Sequence, residues 1–267
     1  MTGIYFIASD TTYDLVVACL NSIRVFEPLL PLCLIPYNSE CSRISSLSDI
    51  YKFTIWTDED VLHRCYAISR LFHANTVGQY RKLAAWEGEF DEFVYIDIDT
   101  VLLSRLELGL RLLTSYDVVT GTSNLESIRK YVWKGDIEDL MPNLDTEYAA
   151  NTGFILSKRG VLSLSEAEAK AKESLLIKDC MELECTEQPF LNYLIVTSGC
   201  RYSSLSQIRR VEKRRDLPVE IWGGLFDDDI LHLSKGVQLV HWAGRWQDGT
   251  QLKSPTWRHF RYLRGDC

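Results

Sequence analysis

No apolar run in this chain approaches the 18 or more residues of a membrane-crossing helix, so no membrane span is expected. Its first residues, MTGIYFIASD, lack a basic flank and a cleavage site, and no signal peptide is expected. The glycine fingerprints of the dinucleotide and P-loop folds are missing, as is the G-x-S-x-G elbow of serine hydrolases. Basic charge is in short supply: 29 Lys and Arg against 37 Asp and Glu leave a net charge of −8. That balance argues against a dedicated nucleic-acid binder, although a local basic patch stays open. None of the eight cysteines forms a C-x-x-C pair. A chain of 267 residues buries enough core to need no disulfide staples. Cys19, Cys33 and Cys65 read as small core hydrophobes, and the chain as cytoplasmic and reduced. No internal repeat, low-complexity tract or linker divides it.

What is present is the pattern of an α/β protein, with strands and amphipathic helices alternating. Ile4–Ser9 is a short apolar run followed by the loop SDTTY, and Leu15, Val16, Cys19, Leu20 and Ile23 then recur at helical spacing. Leu32–Pro36 and Phe53–Thr57 read as further strands, and Thr57–Asp60 as the capped, acidic start of a helix. VGQYRKLAAW shows a helical stripe of Tyr80, Leu83 and Trp86 that carries Arg81 and Lys82. Tyr116–Thr120 is a short strand, and Gly121–Ala150 is an irregular connection long enough to serve as a lid or binding loop. Tyr131 and Trp133 within it are either core residues or sugar-stacking platforms. Ser163–Lys178 is a scaffold helix, the basic run QIRRVEKRR a solvated helix face, and Asp227-Asp228-Asp229 a structural acidic turn.

Chemistry concentrates in Phe93–Leu103, FVYIDIDTVLL. An apolar strand, the mark of burial on both faces, ends in Asp97 and Asp99. Strand side chains alternate, so residues two apart share a side. Two like charges beside an apolar strand call for a neutralising cation, and Mg²⁺ or Mn²⁺ suits carboxylate oxygens. His241 closes the last apolar strand, Val237–His241, much as the aspartates close theirs, and imidazole with carboxylates is a credible Mn²⁺ set. The bland alternatives are an ordinary strand-to-loop turn and a structural histidine. At the first strand's end Ser9, Asp10 and Tyr13 either meet a nucleotide or cap a helix. Asn151 and Gly153 either make a turn or bring an amide and bare backbone to a ligand. Glu187-Gln188-Pro189 opens a helix, with Glu187 either an N-terminal charge or an active-site acid.

The order R-K-L, YIDIDTVLL, NTGF, EQPFLN, HWAG resembles the nucleotide-sugar glycosyltransferases of the GT-A fold, specifically glycosyltransferase family 8, which includes glycogenin. The resemblance runs from Ile4 to about Trp246. It implies a single GT-A, Rossmann-like α/β domain over residues 1–267, with a mixed, mostly parallel central sheet flanked by helices. Residues 1–120 would form the nucleotide-binding half and 121–267 the acceptor side. It further implies metal ligation by Asp97, Asp99 and His241, with Asp97 also near the ribose. Lys82, Gly244 and Arg245 fall to the diphosphate side, Ser9, Asp10 and Tyr13 to the base, Asn151 to the donor sugar, and Glu187 and Gln188 to the neighbourhood of the anomeric carbon. The implied activity is metal-dependent, retaining transfer of a hexose from a UDP-sugar to an acceptor hydroxyl. The acceptor could be a glycan, a lipid-linked sugar, a protein or a small molecule.

Two departures stand out. Gln247 occupies the place of the lysine in the family's H-x-x-G-x-x-K-P-W, with Arg245 or Lys253 as substitutes, and Glu187 replaces the aspartate of its D-Q pair. The missing lysine motivates one competing reading, a catalytically inactive nucleotide-sugar binder. Another, a sugar-phosphate nucleotidyltransferase, would show a glycine-rich basic loop after the first strand, and SDTTYDL is not one.

Overall fold

A computed structural model describes residues 1–224 and 236–264; the Asp227-Asp228-Asp229 turn lies outside the described residues. The first strand, β1 (Thr2–Ala8), is TGIYFIA and is covered on both faces. Tyr5 and Ile7 enter one core cluster, while Ile4, Phe6 and Ala8 enter another on the opposite face. This two-sided burial suits a central strand of a parallel sheet. β1 pairs in parallel with β2 (Leu32–Pro36) on one side and with β4 (Glu92–Ile96) on the other, and β2 pairs with β3 (Phe53–Ile55). Beyond β4 lie β7 (Phe154–Lys158), β6 (Val118–Thr120) and β8 (Tyr202–Ser204), in the order β3-β2-β1-β4-β7-β6-β8. Only β7 runs antiparallel to its neighbours. The carboxyl ends of the other strands and the entry of β7 therefore share one edge of the sheet. Ligands of open α/β sheets bind at that edge.

A second sheet is built from β5 (Thr100–Leu102), β10 (Val237–His241) and β9 (Val219–Trp222), with β10 in the middle. β4 and β5 are separated only by Asp97, Ile98 and Asp99, so this short turn hands the chain from one sheet to the other. β10 runs antiparallel to β5, with His241 opposite Thr100. The helix Tyr13–Phe26 covers β5 and buries Leu15, Val16, Cys19, Leu20 and Ile23, the residues whose spacing marked it as a helix. Its Ser22 hydroxyl accepts a 2.9 Å hydrogen bond from the Leu102 amide.

Asp58 caps the helix Glu59–Phe72 by accepting from the Val61 amide at 3.1 Å, as the acidic start predicts. The expected helix over VGQYRKLAAW is instead wound as 3₁₀ turns over Gly78–Glu87. It has no solvent face to sustain amphipathic α-periodicity: Tyr80 through Trp86 are all buried, Arg81 and Lys82 included. The scaffold helix stops at Ser174 and continues as the 3₁₀ turns Leu175–Cys180. Within the irregular connection Trp133 is a core residue at 2% exposure, whereas Tyr131 is 48% exposed. Cys19, Cys33 and Cys65 are buried. Among the described residues no helix is long and apolar enough to cross a membrane.

Candidate active site

Strand β4 ends at Ile96, and the next three residues turn. The Thr100 hydroxyl closes that turn onto the Asp97 carbonyl at 2.7 Å, and the Asp97 amide donates to Gly153 O at 2.7 Å. Tyr95, two residues back and therefore on the same side, donates its hydroxyl to Asp97 Oδ1 at 2.7 Å. Asp99 is anchored by its carbonyl, which accepts from the Trp242 amide at 2.9 Å. Turn geometry rather than strand pleat makes the two aspartates converge. With His241 they offer three ligand atoms that lie within 4.8 Å of one another.

The charges around these atoms are tightly arranged. His241 is 2% exposed, with Nε2 3.2 Å from Asp99 Oδ1 and Nδ1 2.8 Å from Glu220 Oε1. Burial works against its protonation, but Asp99 and Glu220 push the imidazole pKa up to about 10. Burial, reinforced by the Asp99 charge, drives the Asp97 carboxyl up, opposed by Lys82 and His241. Such a cluster fits a hard divalent ion, whose charge would hold both carboxylates ionised and leave Nε2 as a ligand. The backbone makes room for it: a Cβ on Gly153 would lie 2.2 Å from His241 Cε1 and 2.8 Å from Asp97 Oδ2.

Beside this cluster stands a buried ion pair. Lys82 Nζ, 2% exposed, lies 2.5 Å from Glu187 Oε1 and 3.5 Å from Asp97 Oδ1, and donates to Thr152 O at 2.9 Å. Burial lowers the Lys82 pKa, but Asp97 and Glu187 outweigh it and raise the ammonium above its usual value. Glu187 also accepts from the hydroxyls of Thr152, at 3.0 Å, and Thr186, at 2.7 Å. Gln188 Oε1 accepts from the Thr152 amide at 3.2 Å, and its Nε2 donates to Tyr131 O at 3.0 Å. Gln188 thus ties the N-T-G turn to the irregular connection. Asn151 Oδ1 folds back onto the Gly153 amide at 2.8 Å, closing that turn.

Thr186 has φ 55° and ψ −113°, a backbone conformation that a β-branched residue adopts only under strain. The strain is held where the chain aims Glu187 into the site. Thr186→Gly and Thr186→Ala both delete the hydroxyl, but only glycine relaxes the backbone. The glycine variant is expected to be about 1 kcal/mol more stable than the alanine variant in urea unfolding. Equal stabilities would show that the backbone there is unstrained.

The remaining expected residues are held by contacts of their own. Ser9 Oγ lies 2.9 Å from Thr11 Oγ1, and the Ser9 carbonyl accepts from Thr12. Asp10 accepts from Ser42 Oγ at 3.2 Å and from the amides of Arg43 at 3.1 Å and Ile44 at 3.0 Å, capping the short helix Ser42–Ser45. Burial works to raise the Asp10 pKa, but these bonds prevail and lower it. Tyr13 is buried beneath the Arg43 guanidinium, 3.6 Å from its ring centroid. Gly244 takes a left-handed φ of 69° and starts a turn that leaves Arg245 and Gln247 exposed, as Lys253 is further on. Among the described residues neither Arg245 nor Lys253 pairs with a carboxylate of the cluster.

Sequence reasoning missed Tyr95, Thr152, Thr186 and Glu220. Alternation could have found Tyr95, two before Asp97. Nothing local marks Glu220, which meets His241 only through strand pairing.

No protein-family model matches the sequence, and neither does any curated protein sequence. Solved structures do resemble the chain. Mouse xyloside xylosyltransferase 1, in its apo form, superposes with a TM-score of 0.59 at 9% identity, over 90% of this chain and 97% of that one. The galactosyltransferase LgtC, in complex with donor and acceptor sugar analogs, gives 0.52 at 14% identity, over 97% of this chain and 100% of its own. The bifunctional glycosyltransferase WbbM gives 0.55 at 15% identity over 99% of this chain. This chain spans about half of WbbM, 51% of its length. At these identities the likeness is one of fold, and the fold is the GT-A fold of glycosyltransferases, as the motif order implied.

Proposed function

We propose that a GT-A chain with this cluster is a glycosyltransferase, which moves a hexose from a UDP-sugar to an acceptor hydroxyl with retention at the anomeric carbon. The observation that carries the reading is the convergence of Asp97, Asp99 and His241 on one point at the carboxyl edge of the sheet, beside the Lys82–Glu187 pair. Asp97, Asp99 and His241 would hold Mn²⁺ or Mg²⁺. When bound, that ion supplies Lewis-acid stabilisation of the negative charge that develops on the departing diphosphate.

The chain's own groups divide the remaining work. Lys82 presents a permanent positive charge next to Asp97, where it favours an anionic leaving group. Arg245, exposed four residues after His241, is the cation we assign to the diphosphate in place of the lysine that Gln247 replaces. Glu187 is bonded to Lys82, Thr152 and Thr186, so it is better suited to fixing Lys82 than to attacking a sugar. A front-face reaction fits this arrangement, with a leaving phosphate oxygen taking the acceptor proton. Gln188 and Asn151 shape the N-T-G turn beneath the donor sugar, and the segment 121–150 contributes the acceptor side. Ser9, at the end of β1, and Tyr13, at the start of the helix that follows, flank the base, and Asp10 holds that loop by capping the helix after β2.

Titration calorimetry with UDP, with and without Mn²⁺, tests the reading. UDP is expected to bind the wild type only with Mn²⁺, and Asp99→Ala to abolish that dependence. UDP binding that ignores both metal and substitution would sink it. Binding with no turnover on any UDP-sugar would leave a nucleotide-sugar binder instead.

A further inference from the structure

We propose that Glu220 is a positioning residue of the metal centre, holding His241 in the one tautomer that can ligate a cation. The inference rests on the reading of Asp97, Asp99 and His241 as a metal site. A carboxylate only accepts, so the 2.8 Å contact with Glu220 Oε1 places a hydrogen on His241 Nδ1, and Nε2, the atom facing Asp99, is the nitrogen whose proton a cation would displace to take the lone pair. Histidine ligands are oriented in this way by an outer carboxylate.

The strand pairing is built to make this contact. β9 and β10 start in register at Val219 and Val237, but Glu220 then pairs with Leu239, so Gln238 is an extra residue in β10. Paired residues in a parallel ladder share a face, and one extra residue exchanges the faces. Were Gln238 taken into the ladder instead of bulged out of it, Glu220 would pair with Gln238 and turn away from His241. With Gln238 bulged out, Glu220 and Trp222 share a face with Leu239 and His241. Trp222 accordingly packs on the imidazole, its ring centroid 5.5 Å away at an interplanar angle of 31°.

Glu220 is also a poor choice for packing alone. Its side chain is 1% exposed, and Oε2 is buried with no hydrogen-bond partner among the described residues. That oxygen would lie 2.4 Å from a Cβ on Gly121, so the neighbouring backbone is pared down to accommodate it. An apolar residue of similar volume would fill this space at less cost. A half-satisfied buried carboxylate is retained here because it serves the histidine.

The test separates stability from metal affinity. Glu220→Leu keeps the volume and removes the acceptor, and Glu220→Gln keeps an acceptor without the charge. Mn²⁺ affinity is read from the paramagnetic resonance signal of free Mn²⁺, without turnover, and stability from thermal unfolding of the metal-free protein. Glu220→Leu is expected to melt at or above the wild-type temperature while binding Mn²⁺ about 10–100-fold more weakly. Glu220→Gln is expected to recover most of that loss. If Glu220→Leu does not fold, Glu220→Met carries the same comparison. Mn²⁺ binding by a folded apolar variant within twofold of wild type would overturn the role of Glu220 alone, provided that Asp99→Ala abolishes binding. A wild type that binds no Mn²⁺, or an Asp99→Ala that binds it equally well, would overturn the metal reading with it.

Discussion

Lys82→Met is expected to cost about 3–5 kcal/mol of folding stability and to leave sugar transfer at background. Methionine matches the unbranched stem of lysine, so the packing change is small, and the loss is electrostatic. Glu187, whose side chain is 6% exposed, would keep only the hydroxyls of Thr152 and Thr186. A buried carboxylate without a cation must protonate or open its surroundings, and either outcome costs stability. The Thr152 carbonyl would lose its donor as well. Pairing the substitution with Glu187→Gln removes the stranded charge, and the double variant is expected to recover most of the stability and none of the activity. Urea unfolding of the four proteins in the cycle, with turnover measured on each, checks both halves. A single Lys82→Met variant within about 0.5 kcal/mol of wild type would mean that the pair is solvated in solution.

Gly153→Ala should have a comparably large effect, on the site rather than on the fold. One added methyl would sit 2.2 Å from His241 Cε1 and 2.8 Å from Asp97 Oδ2. Neither neighbour yields easily. His241 is tied to Glu220 on one nitrogen and packed by Trp222, and Asp97 Oδ1 is held by the Tyr95 hydroxyl. The imidazole must leave its place, and Mn²⁺ affinity is expected to fall by about 10–100-fold. The overpacking itself should cost about 1–3 kcal/mol, which leaves a folded protein. Calorimetry with Mn²⁺ reads the first number and urea unfolding the second; unchanged affinity would place Gly153 away from the ligand atoms.

These two variants also mark what the sequence could and could not convey. Asp97, Asp99 and His241 were legible because each closes an apolar strand, and a polar residue at such an end is conspicuous. Glu187 was visible beside Pro189 at a helix start, but its partner lies 105 residues earlier in a segment that looked like an ordinary amphipathic helix. Periodicity cannot distinguish a helix with one wet face from a fully covered run of 3₁₀ turns, so the motif order put Lys82 on the diphosphate side but nothing in the pattern marked it as buried. Asp10 was placed at the end of β1, and capping was one of its two readings. The helix it caps is not the next one in the chain, and that is a tertiary fact. Glu220 was illegible for the same reason, since its meaning depends on which residue of a distant strand lies beside it.

Strand pairing is a two-valued code in which each position faces one side or the other, and the extra residue at Gln238 changes the parity of everything that follows it in β10. The code registers which positions pair and is blind to residue type. Exchanging Gln238 for another side chain forfeits its hydrogen bond to the Ser104 carbonyl but preserves parity. Deleting it would leave Leu239 opposite Glu220 and His241 opposite Trp222 in an unbroken ladder, so the two would still share a face. What must be preserved is the pairing itself, since a slip that drew Gln238 into the ladder opposite Glu220 would part Glu220 from His241 although every residue of the centre would still be in the sequence.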